Sequence, residues 1–473
     1  MSKIDAEKQV GEHPALHHGS SSEALQGEPP KFGYRHPIVQ IIIVSIICFT
    51  CPGMFNALSG LGGGGQIDTK TNSDGATALY STFAVMAFFG GTFVNKLGPR
   101  IALAIGTTGY TLYIGSFLYY NIHHKGGFTI AAGAILGICA GLLWTAQGVL
   151  MLAYSTEATK GRYIAVFWAI FNLGAVIGAI VPLSQQINQV ADTSVKNQTY
   201  IAFVIITAVG GACSFLLANP TTVRRADGTI AAVPVSQSWL TEILNVFTVL
   251  ISEPSIFFLF PFFAASNFFY TWQFSFLNLV IFNPRTRSLN NLLYWSSQII
   301  GSRKAGWAFL TVLIIAIWGG NYKYQKGLTR ANTCEECNHH KMDWTEKGYG
   351  AGCVLYIFNG LSDAAWQTYS YWIIGAMSNN ARKIAVLVGI YKGLQSACAA
   401  VGWAIDSHKV EYVNMYGGTF GFLMLGLLVA APMIFTRVQE HTNAADDQLG
   451  GIDATGHVAG EHVMSDRDSS VKA

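Results

Sequence analysis

The chain has 473 residues, 51% of them apolar and only 12% charged, against the ~25% charged residues of a soluble domain. A formal charge of +3 with no long basic tract argues against a nucleic-acid partner. The balance is that of an integral membrane protein whose first partner is the lipid bilayer.

Residues 1–35 are polar, carry Pro, Gly, Ser and His, and read as a disordered cytosolic tail without a cleavable signal. Apolar runs follow at 36–58, 77–94, 101–120, 129–153, 163–181 and 200–218, then at 255–282, 289–300, 305–320, 349–376, 384–405 and 416–436. A helix of ~20 residues crosses a hydrocarbon core of ~30 Å, so these runs predict about twelve membrane helices and an all-α polytopic fold. The 289–300 run is the weakest: it is short and carries Asn290, Asn291, Ser296, Ser297 and Gln298. Six runs lie on each side of a polar stretch. This divides the chain into a six-helix bundle (36–218), a central cytosolic loop (219–254), a second six-helix bundle (255–436) and a disordered cytosolic tail (437–473). Within the loop, Trp239, Leu240, Ile243, Leu244 and Phe247 recur at helical spacing beside Glu242, which predicts a short amphipathic helix on the inner membrane surface.

Orientation follows from the Lys/Arg bias. With the N-terminus inside, the short cytosolic loops carry Lys96/Arg100, Lys160/Arg162, Arg224/Arg225, Arg303/Lys304 and Arg382/Lys383, so both termini are expected in the cytosol. Arg285, Arg287, Lys323, Lys326, Arg330, Lys341 and Lys347 weigh against this, since they fall in outer loops. The sequon Asn197-Gln-Thr falls outside in this topology, which makes Asn197 a glycosylation candidate.

Two charges sit near the middle of apolar runs, Asp363 in the tenth and Lys392 in the eleventh. An ionisable group at that depth costs at least ~2.5–3.5 kcal/mol unless it finds a partner or a cavity, so it marks a functional site by default. The expectation is that the two face each other or share a water-filled cavity. Asn359, Asp363, Trp366, Gln367 and Ser370 fall on one helical face, as do Lys392, Gln395 and Ser396 on the next helix. Trp144 and Gln147 of the fourth run, Asn172 of the fifth and Asn267, Tyr270, Gln273 and Asn278 of the seventh add polar groups. A lone uncharged polar residue is usually glue between helices, but convergence on two charges points to a cavity. In the functional reading Asp363 binds or releases a proton or cation, while Lys392 holds an anionic group or neutralises the empty site. The structural alternative is a buried pair that fixes helix register.

Other motifs carry less. The run from Gly60 to Gly65 matches a dinucleotide fingerprint literally but follows a membrane helix instead of a strand, and reads as a flexible outer hinge. Cys334, Cys337, His339 and His340 form a compact set of metal-ligand types; a local disulfide or an ordinary outer loop is the competing reading. No phosphate loop, nucleophile elbow or His-Glu-x-x-His motif is present, so neither an enzyme nor a bound cofactor is expected.

Between the second and third runs, Gly91, Asn95, Lys96, Gly98 and Arg100 resemble the charged cytosolic latch of the major facilitator superfamily, with Asn95 where the acid is usual. A wider resemblance rests on Cys51-Pro-Gly-Met-Phe-Asn56-Ala-Leu-Ser-Gly60, Leu143-Trp144-Thr-Ala-Gln147-Gly148, Phe167-Trp168-Ala-Ile-Phe-Asn172, Ser362-Asp363-Ala-Ala-Trp366-Gln367-Thr-Tyr369 and Tyr391-Lys392-Gly-Leu-Gln395-Ser396. These segments are similar to the fungal branch of the uncoordinated-ninety-three (Unc) family within that superfamily. The resemblance implies the major facilitator fold of two six-helix halves around a central cavity lined by the first, fourth, seventh and tenth helices, and adds Asn56 to the candidates. It implies either a transporter-like protein for a small solute or ion, or a regulator or trafficking partner of another membrane protein.

Overall fold

The computed structural model describes residues 31–65, 69–188, 194–226, 228–229, 239–298, 306–333, 337, 339–378 and 381–436. Residues 1–30 and 437–473 of the two expected tails, together with Arg303, Lys304, Cys334 and residues 227 and 230–238 of the central loop, lie outside them. No strand occurs among the described residues; one isolated bridge joins Phe282 and Met342.

The first run is two helices, α1 (Pro37–Thr50) and α2 (Pro52–Ser59). Pro52 lacks the N–H that would continue the ladder, and Cys51 leaves helical geometry at φ −99°, ψ −80°. Then come α3 (Thr69–Leu97), α4 (Pro99–His123), α5 (Gly127–Ala153), α6 (Glu157–Gln186) and α7 (Asn197–Cys213). Gly98 links α3 to α4 at φ 80°, a region a side chain rarely enters, and Pro99 starts the next helix at N1. In the central loop, α8 (Trp239–Ser252) leaves Leu244, Phe247 and Ile251 exposed along one face, in keeping with an amphipathic helix.

The seventh run is broken. A 3₁₀ stretch (Pro254–Leu259) leads into α9 (Phe260–Ala265) and α10 (Phe269–Thr271), followed by a π-helical stretch (Trp272–Asn278). Such widened turns re-aim side chains, and they occur often at functional sites. The chain ends with α11 (Pro284–Ser297), α12 (Gly306–Gln325), α13 (Tyr349–Met377), α14 (Ala381–Ser407) and α15 (Tyr412–Thr436). Each expected run thus contains helix among its described residues. Eight segments are long and apolar enough to cross a membrane on length and composition alone. Those that miss, α11 to α14, are the short one, the Lys323-ended one and the two carrying the buried charges.

Two apolar clusters form the interior. One draws on α1 to α7 and adds Ala399, Ala400 and Trp403 of α14; the other draws on α8 to α15 and adds Ala175 of α6. Between them α3 lies along α14 and α6 along α11. Close approach at the first contact depends on Gly393, where a Cβ would sit 2.6 Å from the Phe88 ring. The second is pinned by Ser288, which donates to Gln186 at 2.6 Å.

The glycine run is not a flexible hinge. Gly62, Gly63, Gly64 and Gly65 all have positive φ, the last three in a buried 3₁₀ turn. A Cβ at Gly64 would lie 2.5 Å from the Phe117 ring, and one at Gly62 would lie 2.7 Å from the Phe274 carbonyl oxygen. Packing between the early helices and the seventh segment therefore requires these glycines.

Candidate functional site

Asp363 lies midway along α13 with 0% exposure. Its Oδ2 accepts from Tyr270 Oη at 2.8 Å, Gln298 Nε2 at 2.6 Å and Tyr294 Oη at 3.3 Å, and its Oδ1 accepts from Gln367 Nε2 at 2.8 Å. Three of these bonds are short; the single Tyr294 proton is shared with Gln273 Oε1, its nearer acceptor at 2.9 Å. None of the donors is charged, and all come from α10, α11 with its C-cap, and α13. A second layer holds these donors. Gln367 also donates to Tyr270 Oη at 3.1 Å, and Gln273 accepts from Tyr294 at 2.9 Å while donating to Asn359 at 2.8 Å. Asn359 in turn pairs with Asn321 of α12.

Lys392 of α14 is 4% exposed. Its Nζ donates to Gln395 Oε1 at 2.9 Å, and it lies 4.9 Å from the ring centroid of Trp144, 5.3 Å from Tyr371 and 4.9 Å from Tyr391. Three aromatic faces around an ammonium make a cation–π cage. Gln395 is fixed by donating to Ser266 and Asn267, both at 2.9 Å, and Tyr391 Oη lies 2.9 Å from Ser266 Oγ. The broken seventh segment therefore carries the partners of both charges on neighbouring turns, Ser266 and Asn267 for one and Tyr270 for the other.

Asp363 and Lys392 are within electrostatic reach but are not ion-paired, which differs from the expectation that they face each other. The reason is local: each is already satisfied, one by uncharged donors and the other by rings. A cavity of about 20 Å³, room for about one water, has Asn56, Ser59, Asn72, Tyr80, Tyr270 and Trp403 among its lining, and neither Asp363 nor Lys392. Tyr270 therefore touches both Asp363 and the cavity, and Asn56 lies in its wall.

The remaining candidates fall as follows. Trp366 is fully buried, stacks on Phe262 at 4.5 Å and donates to the Phe262 carbonyl at 3.0 Å, which makes it a packing residue of α13. Gln147 and Asn172 are 1% exposed, and an amide oxygen of each has no hydrogen-bond partner among the described residues. In the latch, Arg100 donates to the Phe215 carbonyl, while Gly91 has open space around it. Asn95 and Lys96 are both engaged in interactions of their own. Asn197 opens α7 with its Oδ1 accepting from Asn121 at 2.5 Å. Cys337 is disulfide-bonded and so offers no thiolate to a metal, and among the described residues no group of three or more ligands is gathered. His340 instead contacts Glu346 at 2.8 Å.

Sequence reasoning missed Tyr294, Gln298, Tyr371 and Asn321 as site residues. A signal existed for Gln298 and its neighbours. The polar content that made the 289–300 run look doubtful as a span is the content that holds Asp363.

Residues 63–300 match the family described as ion channel regulatory protein UNC-93. An UNC93-like protein of Schizosaccharomyces pombe is 43% identical over 89% of this chain and 87% of its own length. UNC93-like protein 1 of Arabidopsis thaliana is 39% identical over 89% of this chain and 95% of its own. The chain belongs to the UNC-93 family. Among solved structures, this UNC-93 family protein is similar to the human organic anion transporter MFSD10, with a TM-score of 0.53 at 12% identity, covering 85% of this chain and 99% of that one. It is also similar to a D-xylose-proton symporter, with a TM-score of 0.52 at 12% identity, covering 86% and 98%. At those identities the likeness establishes the fold, which is that of the major facilitator transporters in a multi-pass membrane protein. Family and fold together point to a transporter or a regulator and away from an enzyme.

Proposed function

We propose that this protein moves a small solute or ion by alternating access, with two bundles (36–218 and 255–436) rocking about a centre that contains Asp363 and Lys392, and with both termini in the cytosol. The observation that carries the reading is the Lys392 cage. A buried ammonium is held at the contact between the early and late helices by one ring from α5 and two from α13 and α14, with no carboxylate on it. A charge held without a direct ion pair at such a seam is expensive, and a change in what occupies the seam can then shift which packing of the bundles is favoured. Gln367, Asn359 and Gln273 keep Asp363 in place, Gln395 keeps Lys392, and Asn56 faces the cavity that a solute would enlarge on opening.

A second reading is that the protein regulates or escorts another membrane protein. It is favoured by the family's description as a channel regulator and by Asn95, which weakens a charged latch.

The deciding experiment is flux in reconstituted vesicles under pH and potassium gradients, comparing the parent with Asp363→Asn and Lys392→Gln. Flux in the parent that both variants lose supports transport. A folded parent that carries none under any gradient, yet alters the current of a co-expressed potassium channel, refutes transport and supports the regulator.

A further inference from the structure

Lys392 lies where a ligand would lie. Three aromatic faces at about 5 Å from a positive nitrogen is the arrangement by which proteins capture free ammonium groups. The negative faces of those rings favour a cation over an anion. Gln147 lies one turn on from Trp144, and Asn172 one turn on from Trp168, whose ring packs on Tyr371 at 5.9 Å. Gln147 and Asn172 present buried amide oxygens, and Trp168 Nε1 and Tyr371 Oη are likewise buried without a partner among the described residues, so polar groups free to meet a guest lie on the helices around the cage. The Asp363 carboxyl lies within electrostatic reach and is itself held by uncharged donors. The other titratable groups near the ammonium are the phenols of Tyr371 and Tyr391, Tyr110 behind Trp144 and Cys48 near Tyr371.

We propose that Lys392 is the tethered occupant of an organic-ammonium site, and that an incoming ammonium ion takes over the cage as Lys392 gives up its proton. The N–H bond of Lys392 breaks with the electron pair staying on Nζ, and the proton leaves to water on the face then open. The buried charge is unchanged: one carboxylate and one cation before, one carboxylate and one cation after. This deepens the transport reading and rests on it for one consequence. If the bundles then rock, release of the cation on the far side and reprotonation of Lys392 there make a one-for-one exchange of organic cation against proton.

The test uses purified full-length protein in weakly buffered detergent, titrated with tetramethylammonium chloride while a pH dye records proton release. Tetramethylammonium has no ionisable proton, so every proton comes from the protein. The expected result is about one proton released per cation bound by the parent. Lys392→Ala should bind the cation about tenfold more tightly, because the site no longer competes with its own lysine, and should release none. Trp144→Ala, which keeps Lys392, should weaken binding about tenfold. Size-exclusion profiles and thermal unfolding show which variants are folded, and the proton count of the parent stands even if Lys392→Ala fails to fold. Cation binding without proton release, or a folded parent that binds acetate at this site and not tetramethylammonium, overturns the proposal. The two readings fail separately. Vesicle flux of some other solute with no cation-linked proton release removes the ammonium site and leaves transport standing. Cation-linked proton release without any flux supports the site and removes transport.

Discussion

Replacing Asp363 by Asn separates charge from shape. The Asn side chain retains one acceptor oxygen. Placed where Oδ2 lies, it keeps the donors Tyr270, Tyr294 and Gln298. The new amide nitrogen then opposes Gln367 Nε2, 2.8 Å from the atom it replaces, and a flip of the Gln367 amide restores that contact while giving up its long donation to Tyr270 Oη. A hydrogen bond to a charged group contributes ~1.5–3 kcal/mol and a neutral one ~0.5–1.5, so weakening three full bonds and the shared Tyr294 one costs about 4 kcal/mol in all. Removing a buried charge returns several kcal/mol, so the net stability change should stay within about 2 kcal/mol. Asp363→Ala removes the acceptor altogether and strands the buried donors of Tyr270, Gln298 and Gln367, while Tyr294 keeps Gln273; at ~1–3 kcal/mol each the cost is at least about 3 kcal/mol, which is enough to impair folding. Thermal unfolding of the detergent-purified proteins should therefore place Asn near the parent and Ala far below. Flux through the Asn variant should fall at least about tenfold, because Lys392 or its replacement is left without a counter-charge. An Asn variant that unfolds as early as Ala refutes the donor accounting, and one that transports at the parental rate refutes the role of the charge.

Three further outcomes follow from the same geometry. Arg330 Nη2 meets Asp406 Oδ1 at 2.6 Å, Asp406 is only 4% exposed, and its other oxygen accepts from Ser73 at 2.7 Å. Arg330→Ala should thus cost ~3–5 kcal/mol, whereas Arg330→Met combined with Asp406→Leu should recover most of it; a denaturation double-mutant cycle decides, and purely additive losses would count against the pair. At Gly64, Val must adopt φ 61° and enter space 2.5 Å from the Phe117 ring, so Gly64→Val should destabilise by about 3 kcal/mol or more and lower the recovery of folded protein. In the loop before α13, Arg285 holds the Asp343 carboxyl well below the usual carboxylate range through bonds of 2.5 and 2.7 Å. A depressed folded pKa gives stability that is complete above the unfolded value near 3.8 and is lost as pH falls further. Melting of the parent should therefore decline below about pH 4, and an Arg285→Ala variant should show a shallower acid slope; equal slopes would sink the assignment.

The membrane character, the twelve runs and the two buried charges were legible because each depends on residue type within one segment. Their partners were less so. Asp363 is held by Tyr294 and Gln298 of α11, and nothing in a single sequence says which neighbouring helix supplies a donor. Polarity in a span was read as evidence against the span when it marked the face that meets a charge. The glycine run misled in a similar way: glycine permits both flexibility and close approach, and only the rings of Phe117 and the backbone at Phe274 show which one operates. The break of the seventh segment into 3₁₀, α and π pieces left no clear mark in the sequence, although it brings Ser266, Asn267, Tyr270 and Gln273 to bear on both charges.

The separation of Asp363 from Lys392 has mechanical meaning under the transport reading. Two opposite charges 4 Å apart attract by about 4 kcal/mol at an effective dielectric constant of 20. Because both residues belong to the later helices, a direct pair would be indifferent to how the bundles meet. The observed arrangement is not indifferent. Every donor to Asp363 comes from α10, α11 and α13 with the α11 cap, so its charge stays fixed while the bundles move. The Lys392 cage takes Trp144 from α5, and that ring in turn packs on Phe171 of α6 at 5.4 Å. Any motion that parts α5 from α14 must therefore open the cage. The acid serves as the constant of the site and the cation, tethered or free, as its variable, so cage occupancy and bundle packing are linked through Trp144 of α5 and through Trp168 of α6, which packs on the Tyr371 ring.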